Sequence, residues 1–418
     1  MKRQNPLLEE LKKVLPEIAK NADKAEELRK VPTENIELLQ KVGLHKAFLP
    51  KAYGGYEISL PEFGDCIAAL AGACCSTAWA FSLLCTHNHQ IAMFPKQLQD
   101  EVWKDNPDAM ASSSIAPFGR YEETDGGIIF NGEMKWSSGC DHAQWAIVGF
   151  LRDNAEGAKD YCFAVIPASD YNIEDDWYSM AMKGSGTKTL LIKNAFVPEH
   201  RIQKAKDMME GKSAGYGLYP DSKLFYSPYR PYFASGFAAM ALGTAERMLE
   251  VYKEVTSNRV RAYTGAKVHA AIPAILRTGE STHQILAARA FLEKTWEEHA
   301  EYAEAHRYPD RYTLAHWRTN QAYAVKMCIE AVDRLFNAIG ANNWLLDKEA
   351  QRLFRDCHMC GGSCLYRLRC LRTNYRSRSY GLRTRSVPTL NIDTLRSNHD
   401  LSWLDLNTHK NKRESYEL

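Results

Sequence analysis

Apolar positions recur with a helical period at both ends of the chain and with a period of two in the middle. Apolar residues three or four positions apart predict amphipathic helices through residues 7–45, long helices at 231–256, 270–306 and 311–339, and a shorter helix at 347–358. Between them, short alternating runs separated by Gly, Pro and Asp predict strands. The predicted class is α+β, with an N-terminal helical domain (1–105), a central β domain (106–212), a C-terminal antiparallel helix bundle (213–361) and a basic tail (362–418).

Residues 66–85 contain no charged side chain, although the segment is as long as a membrane span. Most of its residues are small, and it follows residues 59–62 (SLPE), which have the sequence of a capping box with proline in the first turn. These features favour one buried central helix over a membrane-spanning helix. We therefore expect no membrane partner.

Small hydroxyls, histidine and tryptophan lie close together in the sequence after this helix. Residues 85–89 (CTHNH) end the apolar segment and residues 112–114 (SSS) begin a strand. Asn131-Gly132 predicts a type I′ hairpin turn, whose returning strand would deliver residues 136–139 (WSSG). The absence of an activated nucleophile, a metal-ligand cluster or a phosphate-loop motif indicates a site that holds a flat cofactor with its own chemistry.

The overall composition is ordinary, with 45% hydrophobic and 25% charged residues and a net charge of +2, and predicts no nucleic-acid partner. Eleven scattered cysteines indicate reduced thiols in the cytoplasm, and the N-terminus has no apolar segment typical of a signal peptide. Residues 357–364 (CHMCGGSC) have a metal-like spacing, but the remaining zinc ligands would have to come from elsewhere. We expect no metal.

The predicted order of domains, together with several motifs, resembles the acyl-CoA dehydrogenase fold. The motifs are residues 127–138 (GIIFNGEMKWSS), 183–187 (KGSGT) and 195–198 (AFVP). Residues 76–87 (STAWAFSLLCTH) and 229–236 (YRPYFASG) resemble more closely the flavin-dependent monooxygenases built on that fold, above all the oxygenase components of two-component 4-hydroxyphenylacetate 3-hydroxylases. The resemblance extends from about residue 10 to Gly361.

The resemblance implies an oxygenase that takes reduced FMN from a separate flavin reductase and uses O2. The flavin C4a-hydroperoxide would transfer an oxygen atom to the ring carbon ortho to the hydroxyl of a 4-hydroxyphenyl acid such as 4-hydroxyphenylacetate. Reduced FAD could take the place of FMN. The resemblance further implies a homotetramer assembled through the helix bundles.

The resemblance also implies roles for individual residues. The expected contacts to the flavin ring are Trp79, Trp136, Ser137 and Ser138, with the Ser138 hydroxyl beside N5. The expected substrate contacts are His87 and Ser113 at the phenolic oxygen, Phe233 on the ring and Arg230 at the carboxylate. Arg259 is expected at the FMN phosphate, and Ala341 and Asn342 at the flavin through their backbones. His87 is expected to draw the phenolic proton as a group that titrates near neutral pH.

Each of these residues also has a structural interpretation. A histidine at the end of an apolar helix is more often a core residue, and only the surrounding motif favours a functional role for His87. His89 keeps the structural interpretation. Without the resemblance, the serines would be an ordinary strand start, the aromatic residues would be core, and the arginine would be half of an ion pair: Ser112, Ser113, Ser114, Trp79, Phe233 and Arg230.

The resemblance ends abruptly after Gly361. Residues 363–390 contain seven arginines, no lysine and no acidic residue, and the amino acids with six codons dominate. A back-translation read one base later resembles the family's C-terminus and then stops, so we interpret the tail as frameshifted. In the family a histidine and a tyrosine from this segment close the aromatic pocket, where this chain has Ser363 and Leu365. We expect the tail to be poorly ordered.

Two other functions are open at this stage. An acyl-CoA dehydrogenase or related flavin oxidase would need a carboxylate base and a channel for coenzyme A, whereas His87 and Arg230 occupy the matched positions. With its altered tail, the chain could also be a non-enzymatic remnant in which the scaffold persists and hydroxylation is weakened.

Overall fold

The computed structural model describes residues 4–362, in which helices precede and follow a seven-stranded sheet. The helices are α1 (Pro6–Lys20), α2 (Ala22–Leu28), α3 (Thr33–Val42), α4 (Leu60–Ala73), α5 (Cys75–Ile91), α6 (Lys96–Trp103), α7 (Ala205–Glu210), α8 (Tyr229–Asn258), α9 (Ile272–Glu304), α10 (Arg311–Phe336) and α11 (Glu349–Gly362). The α+β class and the four C-terminal helices, three long and one shorter, are confirmed. The expectations for the arginine-rich tail, Ser363 and Leu365 included, fall outside the described residues.

The sheet is mixed and runs in the order β5-β6-β2-β1-β3-β4-β7. Its strands are β1 (Ala111–Thr124), β2 (Gly127–Ser137), β3 (Trp145–Asp153), β4 (Lys159–Pro167), β5 (Tyr171–Glu174), β6 (Lys188–Pro198) and β7 (Ile202–Lys204). Strands β1 and β3 are parallel, and every other neighbouring pair is antiparallel. Strand β1, one member of the parallel pair, carries the three consecutive serines at residues 112–114.

The uncharged segment 66–85 forms parts of two helices, so the prediction of a single helix is wrong. The chain breaks at Cys74, whose backbone is extended (φ −155°, ψ 104°), between α4 and α5. The expected capping box is present, with the Ser59 N–H donating to Glu62 Oε2 at 2.8 Å. All seventeen residues of α5 are buried, which explains the lack of charge.

Within residues 4–362, no helix combines the length and the apolar character that crossing a bilayer requires.

The Asn131-Gly132 pair lies inside β2, so the predicted hairpin turn at this position is also wrong. The turn between β1 and β2 is made by Asp125-Gly126, where Gly126 has a φ of 76°. The Asn131 side chain instead accepts a hydrogen bond from the Asn194 N–H at 2.9 Å. Asn194 is an extra residue in β6 with a φ of 52°, so the asparagine secures a β-bulge rather than a turn.

The helices before and after the sheet share one hydrophobic core, and one face of the sheet contributes Ile147, Phe163 and Val165 to it. A smaller core lies within the β segment. Helices α4 and α8 cross so closely that a Cβ at Gly243 would lie 1.9 Å from the Ala68 carbonyl oxygen. This crossing sets the distance between α8 and the helices that begin the chain.

Helix α11 contacts both the first helices and the loop before β6. Arg355 forms a two-pronged ion pair with Glu26 of α2, at 2.9 and 3.1 Å. The fully buried carboxylate of Asp356 accepts a hydrogen bond from the Met182 N–H at 2.7 Å. Met182 has a left-handed backbone (φ 50°) and begins the loop that leads to Thr187. Asp356 therefore helps to fix this loop.

Asp356 predicts an unusual dependence of stability on pH. Burial raises the pKa of its carboxyl from 3.8 to about 6 in the folded protein. Because the folded state then holds the proton more tightly, the free energy of unfolding should fall as pH rises from about 4 to about 6, by up to about 3 kcal/mol, and the loss should persist above pH 6. Asp356→Asn keeps an acceptor for the Met182 N–H and should lack this loss. Urea unfolding at pH 4.5, 6 and 8 tests this, and parallel pH profiles for the two proteins would contradict it.

Candidate active site

His87 presents an unpaired imidazole nitrogen inside the protein. Its Nδ1 lies 2.6 Å from the carbonyl oxygen of Ala111, the first residue of β1. Since a carbonyl oxygen can only accept, Nδ1 must carry the proton, and Nε2 is left with a bare lone pair. The side chain is only 1% exposed, and Nε2 has no hydrogen-bond partner among residues 4–362. This arrangement can accept a proton from a ligand.

Burial lowers the pKa of His87 to about 4, partly offset by the hydrogen bond to Ala111. The expectation of an imidazole that titrates near neutral pH is therefore wrong for the protein without a ligand. Neutral imidazole at pH 7 is an acceptor, which is the form needed to bind a phenolic O–H. A developing phenolate beside Nε2 would raise the pKa again, because an opposite charge favours the protonated form.

A row of aromatic rings extends from His87 towards Trp79. The His87 and Phe233 ring centroids are 6.2 Å apart, Phe233 and Phe237 are 5.7 Å apart, and Phe237 and Trp79 are 4.5 Å apart. Phe237 was missed by the sequence reasoning, although its position four residues after Phe233 on α8 could have indicated a shared helix face. The structure thus brings three of the expected residues, His87, Phe233 and Trp79, together in one row of adjacent rings.

Ser138 lies at the Trp79 end of this row. The Trp79 indole N–H donates to Ser138 Oγ at 3.0 Å, and Ser138 Oγ lies 2.8 Å from Thr187 Oγ1. Neighbouring Ser137 donates to Ser112 of β1 at 3.0 Å. Thr187 was not assigned a role from the sequence, although it belongs to one of the motifs that carry the resemblance.

Trp136 has a left-handed backbone (φ 65°), which is rare for a bulky residue. It lies at a register shift between β2 and β6 that begins after Met134. The residue is 46% exposed, and its ring lies edge-to-face with that of Phe118 with centroids 5.7 Å apart. The bulge therefore turns a flat indole outward directly before the Ser137 and Ser138 hydroxyls.

Ser113 and His87 are positioned by the same strand. Ser113 is buried two residues after Ala111, so their side chains share a face of β1, the face that joins the helical core. The flanking serines face the other way, where Ser112 accepts from Ser137 and Ser114 donates to the Lys135 carbonyl at 2.6 Å. Because side chains alternate between the two faces of β1, the Ser113 side chain lies on the opposite face from those of Ser112 and Ser114.

Arg230 is exposed in the first turn of α8, three residues before Phe233. No carboxylate within the described residues forms an ion pair with it, so the structural interpretation of Arg230 finds no support there. Burial raises the pKa values of the Tyr161 and Tyr229 hydroxyls, and the positive charge of Arg230 partly offsets that rise. Arg230 and Phe233 lie on neighbouring positions of one helix face.

Arg259, Ala341 and Asn342 form a separate group. Arg259 Nη1 donates to the Ala338 carbonyl at 3.3 Å, and a Cβ at Gly340 would lie 2.6 Å from the same Nη1. Arg259 follows the last residue of α8, 22 residues after Phe237, and a helix rises 1.5 Å per residue, so they are roughly 33 Å apart. One flavin cannot contact both this group and the Trp79 group of the same chain.

Sequence comparisons now connect this geometry to known proteins. The family descriptions "Acyl-CoA dehydrogenase, N-terminal domain" and "Acyl-CoA dehydrogenase, C-terminal domain" match residues 3–104 and 235–363. The oxygenase component of p-hydroxyphenylacetate 3-hydroxylase from Acinetobacter baumannii is 66% identical over 355 residues, which cover 85% of this chain and 84% of the relative. This chain belongs to the flavin-dependent monooxygenases of the acyl-CoA dehydrogenase fold.

Two further relatives place this monooxygenase among oxygenase subunits of the same kind. The oxygenase subunit HsaA of a flavin-dependent monooxygenase from Mycobacterium tuberculosis (strain CDC 1551 / Oshkosh) is 34% identical over 82% of this chain and 88% of its own length. The crystal structure of 3-HSA hydroxylase from Rhodococcus sp. RHA1 superposes with a TM-score of 0.85 at 29% identity, covering 91% of this chain and 97% of that one. The predicted fold and enzyme class are confirmed.

The residues of this monooxygenase fit a reduced flavin beside an aromatic substrate. Trp136 is a largely exposed flat residue two positions before Ser138, and the Ser138 hydroxyl, beside the Trp79 indole, is a small polar group of the kind that can contact a flavin ring. The unpaired Nε2 of His87 and the Phe233 ring lie at the other end of the aromatic row from Trp79.

Proposed function

We propose that this chain uses O2 and reduced FMN from a separate reductase to hydroxylate a 4-hydroxyphenyl acid, such as 4-hydroxyphenylacetate, ortho to its hydroxyl group. The observation that carries the proposal is the bare Nε2 of His87, buried against the Phe233 ring. A buried acceptor without a partner is costly, and a phenolic O–H satisfies it. The high identity to a p-hydroxyphenylacetate 3-hydroxylase component supports the choice of substrate.

When bound, the reduced flavin and O2 supply an electrophilic oxygen atom. His87 Nε2 accepts the phenolic hydrogen bond and draws the proton from the oxygen, which makes the ortho carbon a better nucleophile. Ser113, buried on the same strand face as Ala111, is the second contact to the phenolic oxygen. Phe233 covers the ring, and the aromatic row from His87 to Trp79 keeps water away from the reacting atoms.

Arg230 is proposed to bind the carboxylate of the substrate through its planar guanidinium. A charge-assisted contact of this kind corresponds to about tenfold to hundredfold in affinity. We expect Arg230→Met to raise the KM for 4-hydroxyphenylacetate by that factor, with Arg230→Lys intermediate, and to leave the KM for 4-ethylphenol unchanged. Steady-state kinetics with both phenols measure this, and an equal rise for the uncharged phenol would contradict the assignment.

The Arg259 group is proposed to serve the flavin of a neighbouring copy, with Arg259 at the phosphate and the backbones of Ala341 and Asn342 at the ring. The separation of roughly 33 Å along α8 supports this, because a flavin held by Trp79 cannot reach Arg259 of its own chain. Helix α9 of the bundle also exposes large apolar residues, as expected for a homotetramer assembled through this surface: Ile272, Ile275, Leu276 and Leu286. We also propose that the enzyme prefers reduced FMN to reduced FAD.

A cytoplasmic location is proposed from the thiols. All nine cysteines within residues 4–362 are buried and free, which suits a reducing compartment.

Chemically reduced FMN, air and 4-hydroxyphenylacetate test the proposed function directly. We expect the ortho-hydroxylated catechol as product, with less hydrogen peroxide than in the absence of substrate. Repeating the assay with reduced FAD measures the flavin preference. Formation of peroxide alone by the purified chain would overturn the proposal and favour a non-enzymatic remnant, and reduction of oxidised flavin by an acyl-CoA would favour a dehydrogenase.

A further inference from the structure

Two buried hydroxyl groups continue from Ser138 away from Trp79. Ser138 Oγ lies 2.8 Å from Thr187 Oγ1, which in turn lies 2.7 Å from Ser185 Oγ. Ser138 and Thr187 are buried, and Ser185 is fully buried. The Trp79 indole donates to the first hydroxyl of this series at 3.0 Å. Three hydroxyl protons and one indole proton must therefore be arranged over three short contacts.

The direction of these hydrogen bonds follows from what each atom can do. Either oxygen could be the donor in each of the two hydroxyl contacts on geometry alone. Thr187 Oγ1 is the hydrogen-bond partner of the Ser185 hydroxyl among the described residues, and a buried hydroxyl rarely leaves its proton unused, so we assign Ser185 as the donor to Thr187 and Thr187 as the donor to Ser138. Ser138 Oγ already accepts from the Trp79 N–H, so both of its lone pairs are used. The Ser138 hydroxyl proton is therefore the one that has no acceptor within this series.

We propose that Ser185 and Thr187 are positioning residues that hold the Ser138 hydroxyl as a donor towards the C4 carbonyl oxygen beside N5 of the flavin, since N5 of the reduced ring carries a proton and is itself a donor. This inference rests on the proposed function and on the expectation from the shared motifs that Ser138 lies beside the N5 edge of the cofactor. Ser138 could otherwise rotate and donate to Thr187, and it would then offer the flavin a lone pair instead of a proton. Because Thr187 accepts from Ser185 and donates to Ser138, the Ser138 hydroxyl cannot take that second orientation.

The surrounding backbone holds the pair in place. The Gly139 N–H donates to the Ser185 carbonyl at 3.0 Å, which joins the loop that carries Ser138 to the loop that carries Ser185. The Gly184 N–H donates to Ser76 Oγ of α5 at 3.2 Å, on the helix that also carries Trp79. All parts of the series are thus fixed to one another before a cofactor binds.

The protein without flavin provides the first test. Thr187→Val keeps the size of the side chain and removes its hydroxyl, whereas Thr187→Ser keeps the hydroxyl. In spectra of protein with 15N-labelled tryptophan, the Trp79 indole N–H resonance, assigned with Trp79→Phe, should shift in Thr187→Val and Ser185→Ala. It should stay close to its original position in Thr187→Ser. Equal shifts in both Thr187 variants would overturn the proposal.

Binding and uncoupling provide the second test. Losing one oriented hydrogen bond should weaken the binding of reduced FMN about tenfold in Thr187→Val and raise the share of electrons released as hydrogen peroxide. In a Ser138→Ala background, Thr187→Val should add nothing, because the residue acts through Ser138. Additive effects would overturn the proposal. If the wild-type chain hydroxylates no phenol while the resonance and the affinity respond as expected, the proposed function fails and the positioning role stands.

Discussion

Replacing His87 with alanine is expected to lower the formation of hydroxylated product by about a hundredfold or more, while reduced flavin is still oxidised. In the proposed function, Nε2 is the buried acceptor for the phenolic O–H, and the tautomer of the imidazole is set by the 2.6 Å contact of Nδ1 with the Ala111 carbonyl. Without it the phenol keeps its proton, the ortho carbon is a weaker nucleophile, and the electrons leave as hydrogen peroxide. Product and peroxide are measured in the same reaction.

His89 provides the matched control for this variant. It is on the same helix, equally buried, and likewise has one nitrogen, Nδ1, without a partner among the described residues, but its ring stacks on Tyr232 at 4.1 Å and its Nε2 lies 3.3 Å from the Leu224 carbonyl. His89→Ala should therefore lower the stability of the protein and leave the product formed per folded enzyme close to that of the wild type. Equal losses of product in the two variants would show that a general disturbance of α5, and not the missing acceptor, is responsible.

The elements of the fold were largely predictable because burial imposes a period on each of them. The four C-terminal helices and strands β3, β4 and β6 follow from that period alone. The break at Cys74 was not predictable, because α4 and α5 are both uncharged and the pattern does not change between them. The hairpin turn was predicted at Asn131-Gly132, and the true turn at residues 125–126 was missed, because a β-bulge and a hairpin turn favour the same residue types.

The site was predictable only in part, and for a different reason. Periodicity identifies neither His87 nor Ser138 as functional, and the motifs shared with flavin monooxygenases were needed to select them. The low pKa of His87 depends on tertiary burial, and its tautomer depends on a carbonyl 24 residues away. The role inferred for Thr187 depends on a hydroxyl 49 residues away. Contacts over such distances in the sequence have no local signal.

The close approach of α4 and α8 predicts the largest loss of stability from a small change. A Cβ at Gly243 would lie 1.9 Å from the Ala68 carbonyl oxygen, which belongs to rigid helix backbone and cannot rotate away. Gly243→Ala must therefore separate the two helices, and we expect it to cost about 3 kcal/mol or more. The same helix carries Phe233 and Phe237, so the aromatic row beside Trp79 should loosen and more peroxide should be released.

Two glycines serve as controls for Gly243→Ala. A Cβ at Gly72 would lie 3.5 Å from the Gly243 carbonyl oxygen at the same crossing, an ordinary contact, and a Cβ at Gly279 in α9 would meet nothing within 4 Å. Gly72→Ala should be nearly neutral, and Gly279→Ala should stabilise the protein by up to about 1 kcal/mol, because alanine favours helix. Urea unfolding of the three variants measures the change in the free energy of unfolding that each substitution causes. If Gly243→Ala is as stable as Gly279→Ala, the helices are not held at the distance that the site requires.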